Sequence, residues 1–464
     1  RVSLRLFGFR DHEGESLPPD LRSAIYLLQF VKTGSWERVR MYVDTIEARP
    51  PDYPSTPSST TTPEQPVGAD LVTIDMSKDI GRCLAQVGFN LAAGSVATGS
   101  NRKLSETVSK LAADLAPCVG RLRVAHSFVP RTSSYDLTAL NAAVNWLGSA
   151  GVKPLLCFGM PSAPADPTGP SAERRLYQTA VDIADLRRSA HLSPYYELFE
   201  DPITRPDSIA PGFERVRDLV TAYNGLAAGI AQADPTARIG GSGFRGADEW
   251  AIREFAAGAD PLAFVSYRLV YHGPMRPGDK RMETDILRGF SGGEYDWTYE
   301  QAARYLDEVT ARPELFITDW GIRREPETNR QASLENTAGE AVFLATSALA
   351  ASRHVDKLLW TDLVDDSSGL IDARGRPRPA YWAAWLLCKY APRGSTCSTL
   401  VDYRSRLLIA GIRTRTSANI FVVNRTPWPM SLTLRATGVG TPATVREHKL
   451  DIMAAEAVRH RNLS

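Results

Sequence analysis

The chain has 464 residues, 43% hydrophobic and 23% charged, with a formal net charge of +1. This is the composition of a soluble globular protein, long enough for one large domain and a smaller one. Scattered Lys and Arg without an aromatic stripe argue against nucleic-acid binding, and the longest apolar run, near 341–351, is too short to span a bilayer.

Residues 1–49 read as β-structure. Val2, Leu4 and Leu6 alternate with polar partners, 24–31 is continuously apolar, and Val39, Met41 and Val43 alternate again. So few strands make part of a sandwich rather than a domain stable alone. Residues 50–70 follow with PPDYPSTPSSTTTPEQPVG, which has almost nothing to bury and reads as an extended linker or surface loop. Pro/Ser/Thr linkers are commoner in exported proteins, so a secreted or cell-envelope location is expected. Beginning at Arg1 without an apolar signal core, the sequence reads as a mature or trimmed chain.

From 71 to 392 short apolar strands alternate with amphipathic helical patterns. Strands are expected at 86–91, 121–128, 154–160, 195–199, 238–241, 263–269, 315–318 and 357–360. Leu137, Leu140, Val144 and Leu147 share one helix face; Phe213, Val216, Val220, Tyr223 and Ile230 share another. Eight strands, with a helix after each of the first seven, predict a (β/α)8 TIM barrel. Residues 393–464 return to β-patterning. The expected architecture is thus a barrel beside an accessory β-sandwich to which both chain ends contribute.

Several signals imply little. The five cysteines have no CxxC spacing, and Cys388 and Cys397 are near enough in sequence to pair. Asn424-Arg425-Thr426 and Asn462-Leu463-Ser464 match the glycosylation sequon. The histidines lack ligand spacing, so no metal is expected. Gly241-Ser242-Gly243-Phe244-Arg245-Gly246 matches GxGxxG, but no acid ends a following strand at the required distance, so no dinucleotide cofactor is expected either.

The chemistry is expected where barrel strands end. Strand four, Tyr195-Tyr196-Glu197-Leu198-Phe199, runs into Glu200 and Asp201 and stops at Pro202. Strand seven runs into Asp319. Acids ending strands four and seven face each other across a barrel mouth, the layout for glycoside cleavage by two carboxylates. One acid protonates the leaving oxygen, and the other attacks the anomeric carbon or activates water. Glu200 is an alternative acid, because like-charge repulsion beside Asp201 raises one of the two pKa values. Candidate sugar-binding groups at strand ends are Arg123, His126, Arg268, Tyr271, His272, Trp320, Trp360 and Asp362. Arg268 either neutralises the acids or binds an acidic sugar.

These segments resemble the clan A glycoside hydrolases, most closely family 39, which holds β-xylosidases, α-L-iduronidases and exopolysaccharide glycosidases. Phe199-Glu200-Asp201-Pro202 resembles the clan's strand-four Asn-Glu-Pro, and Thr318-Asp319-Trp320-Gly321 resembles its strand-seven nucleophile segment. Arg123 matches a strand-two Arg, and Phe264-Val265-Ser266-Tyr267-Arg268 is similar to the family's Ile-Ser-x-His. Gly369-Leu370-Ile371-Asp372 through Arg376-Pro377-Arg378-Pro379-Ala380-Tyr381-Trp382 resembles the exit from strand eight. The likeness covers 71–392 and implies a glycosidase acting on an oligo- or polysaccharide, with Asp201 as general acid and Asp319 as nucleophile or base.

The departures lie at the chemistry. The clan's Asn is Glu200, both catalytic Glu are Asp (Asp201 and Asp319), and the strand-six His is Arg268. Two shortened carboxyls widen the pair toward the spacing of inverting enzymes. A barrel that binds polysaccharide without cleaving it, and a transglycosylase or cyclising enzyme, are the alternatives.

Overall fold

The computed structural model describes residues 2–7, 25–32, 39–49, 71–83, 85–91, 102–116, 118–124, 128–129, 134–135, 137–159, 182, 194–200, 202, 213–245, 249–272, 299–309, 311–323, 330–366, 368–403, 406–425, 432–439, 442–450 and 458–463. The linker reading of 50–70 lies outside these residues, as do Thr426 and Ser464, which complete the two sequons.

The first strands are β1 (Val2–Phe7), β2 (Ile25–Lys32), β3 (Val39–Arg49), β4 (Leu71–Asp75) and β5 (Gly81–Arg82). Then come β6 (Gln86–Leu91), β7 (Val119–Arg123), the short pair β8 (Phe128–Val129) and β9 (Ser134–Tyr135), and β10 (Lys153–Phe158). The central chain supplies β11 (Tyr195–Leu198), β12 (Arg238–Arg245), β13 (Phe264–His272), β14 (Glu314–Arg323) and β15 (Lys357–Trp360). The last six are β16 (Thr396–Tyr403), β17 (Leu407–Arg413), β18 (Ser417–Asn424), β19 (Leu432–Val439), β20 (Pro442–Leu450) and β21 (Val458–Leu463). Helices are α1 (Arg102–Asp114), α2 (Leu137–Ser149), α3 (Val216–Ala233), α4 (Glu249–Gly258), α5 (Tyr299–Asp307), α6 (Arg330–Ala351) and α7 (Pro379–Tyr390).

The predicted TIM barrel is present. Strands β6, β7 and β10 to β15 pair in parallel in that order, and β15 closes onto β6. Helices follow because each apolar strand needs its outer face covered. On α3, Val216, Leu219, Tyr223, Leu226, Ala227 and Ile230 are buried at helical spacing. Pro379 sits in the first turn of α7, where a missing N–H costs nothing.

Inside the barrel, Phe264 stacks on Phe316 with centroids 4.2 Å apart, and Tyr195 meets both rings edge-on. With Val119, Leu155 and Leu359 they form a dry layer at the N-terminal end of the strands. Residues one pleat further on, Arg121, Cys157, Glu197, Ser266 and Thr318, make the layer above it mostly polar.

Two further sheets have the orders β1-β3-β19-β4 and β21-β20-β2-β18-β17-β16-β5, so both ends of the chain contribute to each. They meet face to face at Gly411, where an added Cβ would lie 2.8 Å from Met76 Sδ. These sheets fit the expected accessory β-domain. Among the described residues no helix is long and apolar enough to cross a membrane.

All five cysteines are free thiols, so the expected option of a Cys388–Cys397 pair is not taken up. Cys397 Sγ lies 3.8 Å from Ser352 Oγ, and Cys83 Sγ donates to the Ala391 carbonyl at 3.4 Å. Cys388, on α7, lies near Cys118, with its thiol 3.8 Å from the Val87 carbonyl.

Candidate active site

The site begins with two departures from regular strand geometry. In β11, Tyr195 and Glu197 point into the barrel while Tyr196 and Leu198 face the helices. Strict alternation would bring Phe199 inward. Phe199 instead adopts φ 68°, packs edge-on against Phe213, and lets Glu200 turn in. In β14, pairing with β13 jumps from Ile317 opposite Tyr267 to Asp319 opposite Arg268, a bulge at Thr318. The bulge brings Thr318 and Asp319 to the interior together.

Room for this comes from β12. A Cβ on Gly241 would lie 2.5 Å from the Leu198 carbonyl, and one on Gly243 would lie 3.2 Å from Glu197 Oε1. The Gly-rich motif therefore sits within a barrel strand and serves close approach of strands four and five.

Glu197 is fully buried. Its Oε1 accepts from Ser266 Oγ and Thr318 Oγ1, each at 2.7 Å, and its Oε2 accepts from Arg121 Nε. Arg121, also fully buried, reaches Asn90 Oδ1 (3.1 Å), Cys157 Sγ (2.9 Å) and Glu200 Oε1 (3.1 Å). Asn90 in turn donates to the Thr318 and Trp360 carbonyls at 3.0 and 2.8 Å. Strands one, two, three, four, six, seven and eight are thereby joined in one network.

Above this network lie the two acids and two more arginines. Arg123 donates to Glu200 Oε1 from Nε at 3.1 Å and to Asp319 Oδ2 from Nη2 at 3.0 Å. Arg268 gives Asp319 Oδ2 two bonds, at 3.1 and 2.7 Å, with its Nε 3.7 Å from Glu200 Oε1. The Asp319 side chain has no solvent exposure, Glu200 has 17%, and each of these arginines has 20%.

Burial by itself would raise the pKa of Glu200. The guanidiniums of Arg121, Arg123 and Arg268 outweigh it and hold the carboxyl well below the usual carboxylate range. The expectation that Glu200 could serve as a raised-pKa acid is therefore corrected. Repulsion from one neighbouring carboxylate does not compete with three cations in contact. Arg268 is held well into its charged form by the same acids.

Of the predicted residues, Arg123, Glu200, Arg268 and Asp319 come together. Asp201 and His126 lie outside the described residues, as do the side chains of Tyr271 and His272 on β13. Asp362 is half-buried just past β15, its carbonyl accepting from Leu370 N at 3.1 Å. Trp320 and Trp360 are corrections. Both are fully buried, 5.2 Å apart edge-on and packed on Phe343 of α6, so neither offers a face to a sugar. Trp320 follows the bulge and so points away from Asp319. Sequence reasoning passed over Arg121, Glu197 and Asn90, although an acid inside an otherwise apolar strand was the available signal for Glu197.

Among the described residues no group of three or more His, Cys, Asp or Glu side chains is placed to hold a metal ion. No protein-family model matches the chain, and no curated protein matches it. Solved structures share its fold. A GH39 β-xylosidase from Caulobacter crescentus aligns over 74% of this chain and 79% of its own, at 15% identity and TM-score 0.50. The catalytic domain of GH30 xylanase C from Talaromyces cellulolyticus aligns over 82% and 99%, at 10% identity and TM-score 0.53. AbfB, a family 51 α-L-arabinofuranosidase from Bifidobacterium longum, aligns over 78% and 99%, at 12% identity and TM-score 0.53. At these identities the likeness establishes a common barrel architecture.

Proposed function

We propose that the protein is a glycoside hydrolase acting on an oligo- or polysaccharide through carboxylates at the ends of strands four and seven. Asp201 is the general acid, Asp319 the nucleophile or base, and Glu200 an ionised partner that orients Arg121, Arg123 and Arg268. The observation that carries this is the meeting of Glu200 and Asp319 through Arg123 at the barrel mouth, with Asp201 next in sequence. Fixed carboxylates there suit an oxocarbenium-like transition state, which needs negative charge already oriented. The shared fold supports it, since the similar structures are a β-xylosidase, a xylanase and an arabinofuranosidase. Pentose-containing glycans are accordingly the first substrates to try.

The test is hydrolysis of a glycan panel by the parent, Asp201→Asn and Asp319→Asn. Loss of turnover by orders of magnitude in both variants is expected, with glycan binding retained. Equal turnover in either variant removes that residue from the mechanism. The anomer first released, followed by NMR, separates retention from inversion.

A second reading, a barrel that binds glycan without cleaving it, is favoured by one observation. Asp319 has no exposure because two arginines cover its Oδ2, so a sugar reaches it only by displacing Arg268. Arg268→His tests this directly. Turnover that appears only in the variant assigns the parent to binding.

A further inference from the structure

Opposite the barrel mouth, where the strands begin, a second concavity of about 580 Å³ lies between the barrel and the β-domain. Arg393 at its wall reaches Glu314 and Asp356, which stand at the entry of β14 and just before β15, so the concavity is remote from Glu200 and Asp319. Its cationic lining is Arg82, Lys389, Arg393, Arg413 and Arg415, and among the described residues no carboxylate lines it.

Arg393 is neutralised by its two acids. Among the described residues the other four cations are not so used. Arg82 spends one nitrogen on Thr396 Oγ1 at 2.7 Å, and Arg413 spends one on the Met76 carbonyl at 3.0 Å. Lys389 Nζ lies 5.6 Å from the centre of the Trp385 ring. Arg415 stands exposed on the β17–β18 turn, which is stiffened by Thr414 Oγ1 accepting from the amides of Thr416 (3.2 Å) and Ser417 (2.9 Å). Four cations facing one concavity repel each other, and a bound anion relieves that repulsion.

We infer that this concavity is a binding site for an acidic sugar unit, a uronate or a sulfated residue, on the polysaccharide the enzyme acts upon. The identity of the ligand as a sugar rests on the proposed glycosidase function; its negative charge rests on the lining alone. The volume falls in the range of small-ligand sites, roughly 300–1,000 Å³. Guanidiniums match carboxylate and sulfate geometry, and the Thr396, Thr416 and Ser417 hydroxyls suit a sugar's own hydroxyls. Among the described residues no aromatic side chain lines it, so nucleobases find no stacking platform there, which argues against a nucleic acid. A chain held here at the far end of the barrel raises the local concentration of its neighbouring units at the mouth.

The experiment is calorimetric titration of the full chain with an oligogalacturonate, a neutral xylo-oligosaccharide and a single-stranded oligonucleotide. It is run on the parent, on Arg413→Ser/Arg415→Ser and on Arg415→Glu, whose exposed position protects folding. The expected result is oligogalacturonate binding weakened at least tenfold in both variants, with the affinity for the neutral xylo-oligosaccharide the same in parent and variants. Asp319→Asn should bind it as the parent does, so loss of hydrolysis and loss of anion binding are separately readable. Equal oligogalacturonate affinity in Arg415→Glu, a neutral-sugar affinity that falls in step with the oligogalacturonate's in the variants, or tighter binding of the oligonucleotide overturns the inference.

Discussion

Arg123 Nη2 lies 3.0 Å from Glu200 Oε1 and 3.0 Å from Asp319 Oδ2, so one cation joins the carboxylates of strands four and seven. Both acids are thereby oriented by a group that is itself only partly exposed. This changes what each acid can do. Glu200, with three guanidiniums around it, is held as the carboxylate well below the usual carboxylate range.

The first prediction follows. Glu200→Gln should lower turnover but leave the alkaline limb of the pH–rate profile in place, because that limb reports loss of a proton from a different acid. Disappearance of the alkaline limb would make Glu200 the acid after all. Stability gives an independent reading. A carboxyl whose folded pKa is depressed contributes stability fully present above its unfolded value, near ~4.3, and lost as pH falls toward the folded value. The parent should therefore lose stability more steeply than Glu200→Gln on acidification below about pH 4.5.

Arg121 and Glu197 pair with no solvent exposure on either side. Removing one partner leaves a buried charge short of its counter-ion. Glu197→Ala should cost about 3–5 kcal/mol by urea unfolding, whereas Glu197→Gln, which still accepts from Ser266 and Thr318, should cost less. A loss under about 1 kcal/mol in the Ala variant would mean that water or a rearranged Glu200 replaces the lost charge.

The barrel was legible because each strand is a short apolar run followed by helical spacing, and both features are local. Glu200 and Asp319 were legible because an acid directly after such a run is conspicuous. What escaped depended on backbone detail at those same places. The positive φ of Phe199 decides that Glu200 rather than Phe199 faces inward, and the bulge at Thr318 decides that Asp319 faces in while Trp320 faces α6. Simple alternation cannot anticipate either. Arg121 was passed over for Arg123, although both lie two residues apart on the same face of β7; only the depth of each in the barrel separates a buried strut from a mouth residue.

Gly241 carries the third prediction. Its φ of +150° is one that side chains rarely adopt, and a Cβ there would meet the Leu198 carbonyl at 2.5 Å. Gly241→Ala must push β11 away from β12, shifting the segment that sets Glu200. Destabilisation of roughly 2 kcal/mol or more is expected, with turnover falling further than stability alone explains at permissive temperature. A variant as stable and active as the parent would show that strand four does not depend on this close approach.

The last prediction concerns the barrel floor. Lys357 is almost fully buried, with Nζ 5.4 Å from the Phe316 ring centre and 3.9 Å from Glu314. Burial pulls its pKa down to about 8, only partly offset by Glu314. Between that value and the unfolded one near ~10.4, the unfolded chain binds the extra proton, so this residue makes stability rise with pH by at most about 1.4 kcal/mol per unit. Below the window its charge is a burden. Glu314 keeps Arg238 at 3.0 Å and Arg393 at 2.7 Å whether or not Lys357 is present. Lys357→Met should therefore be at least as stable as the parent near pH 7, with the difference shrinking as pH rises through the window. Urea midpoints at about pH 7.5 and 9.5 measure it, and a parent–variant difference unchanged between them would refute the depressed pKa.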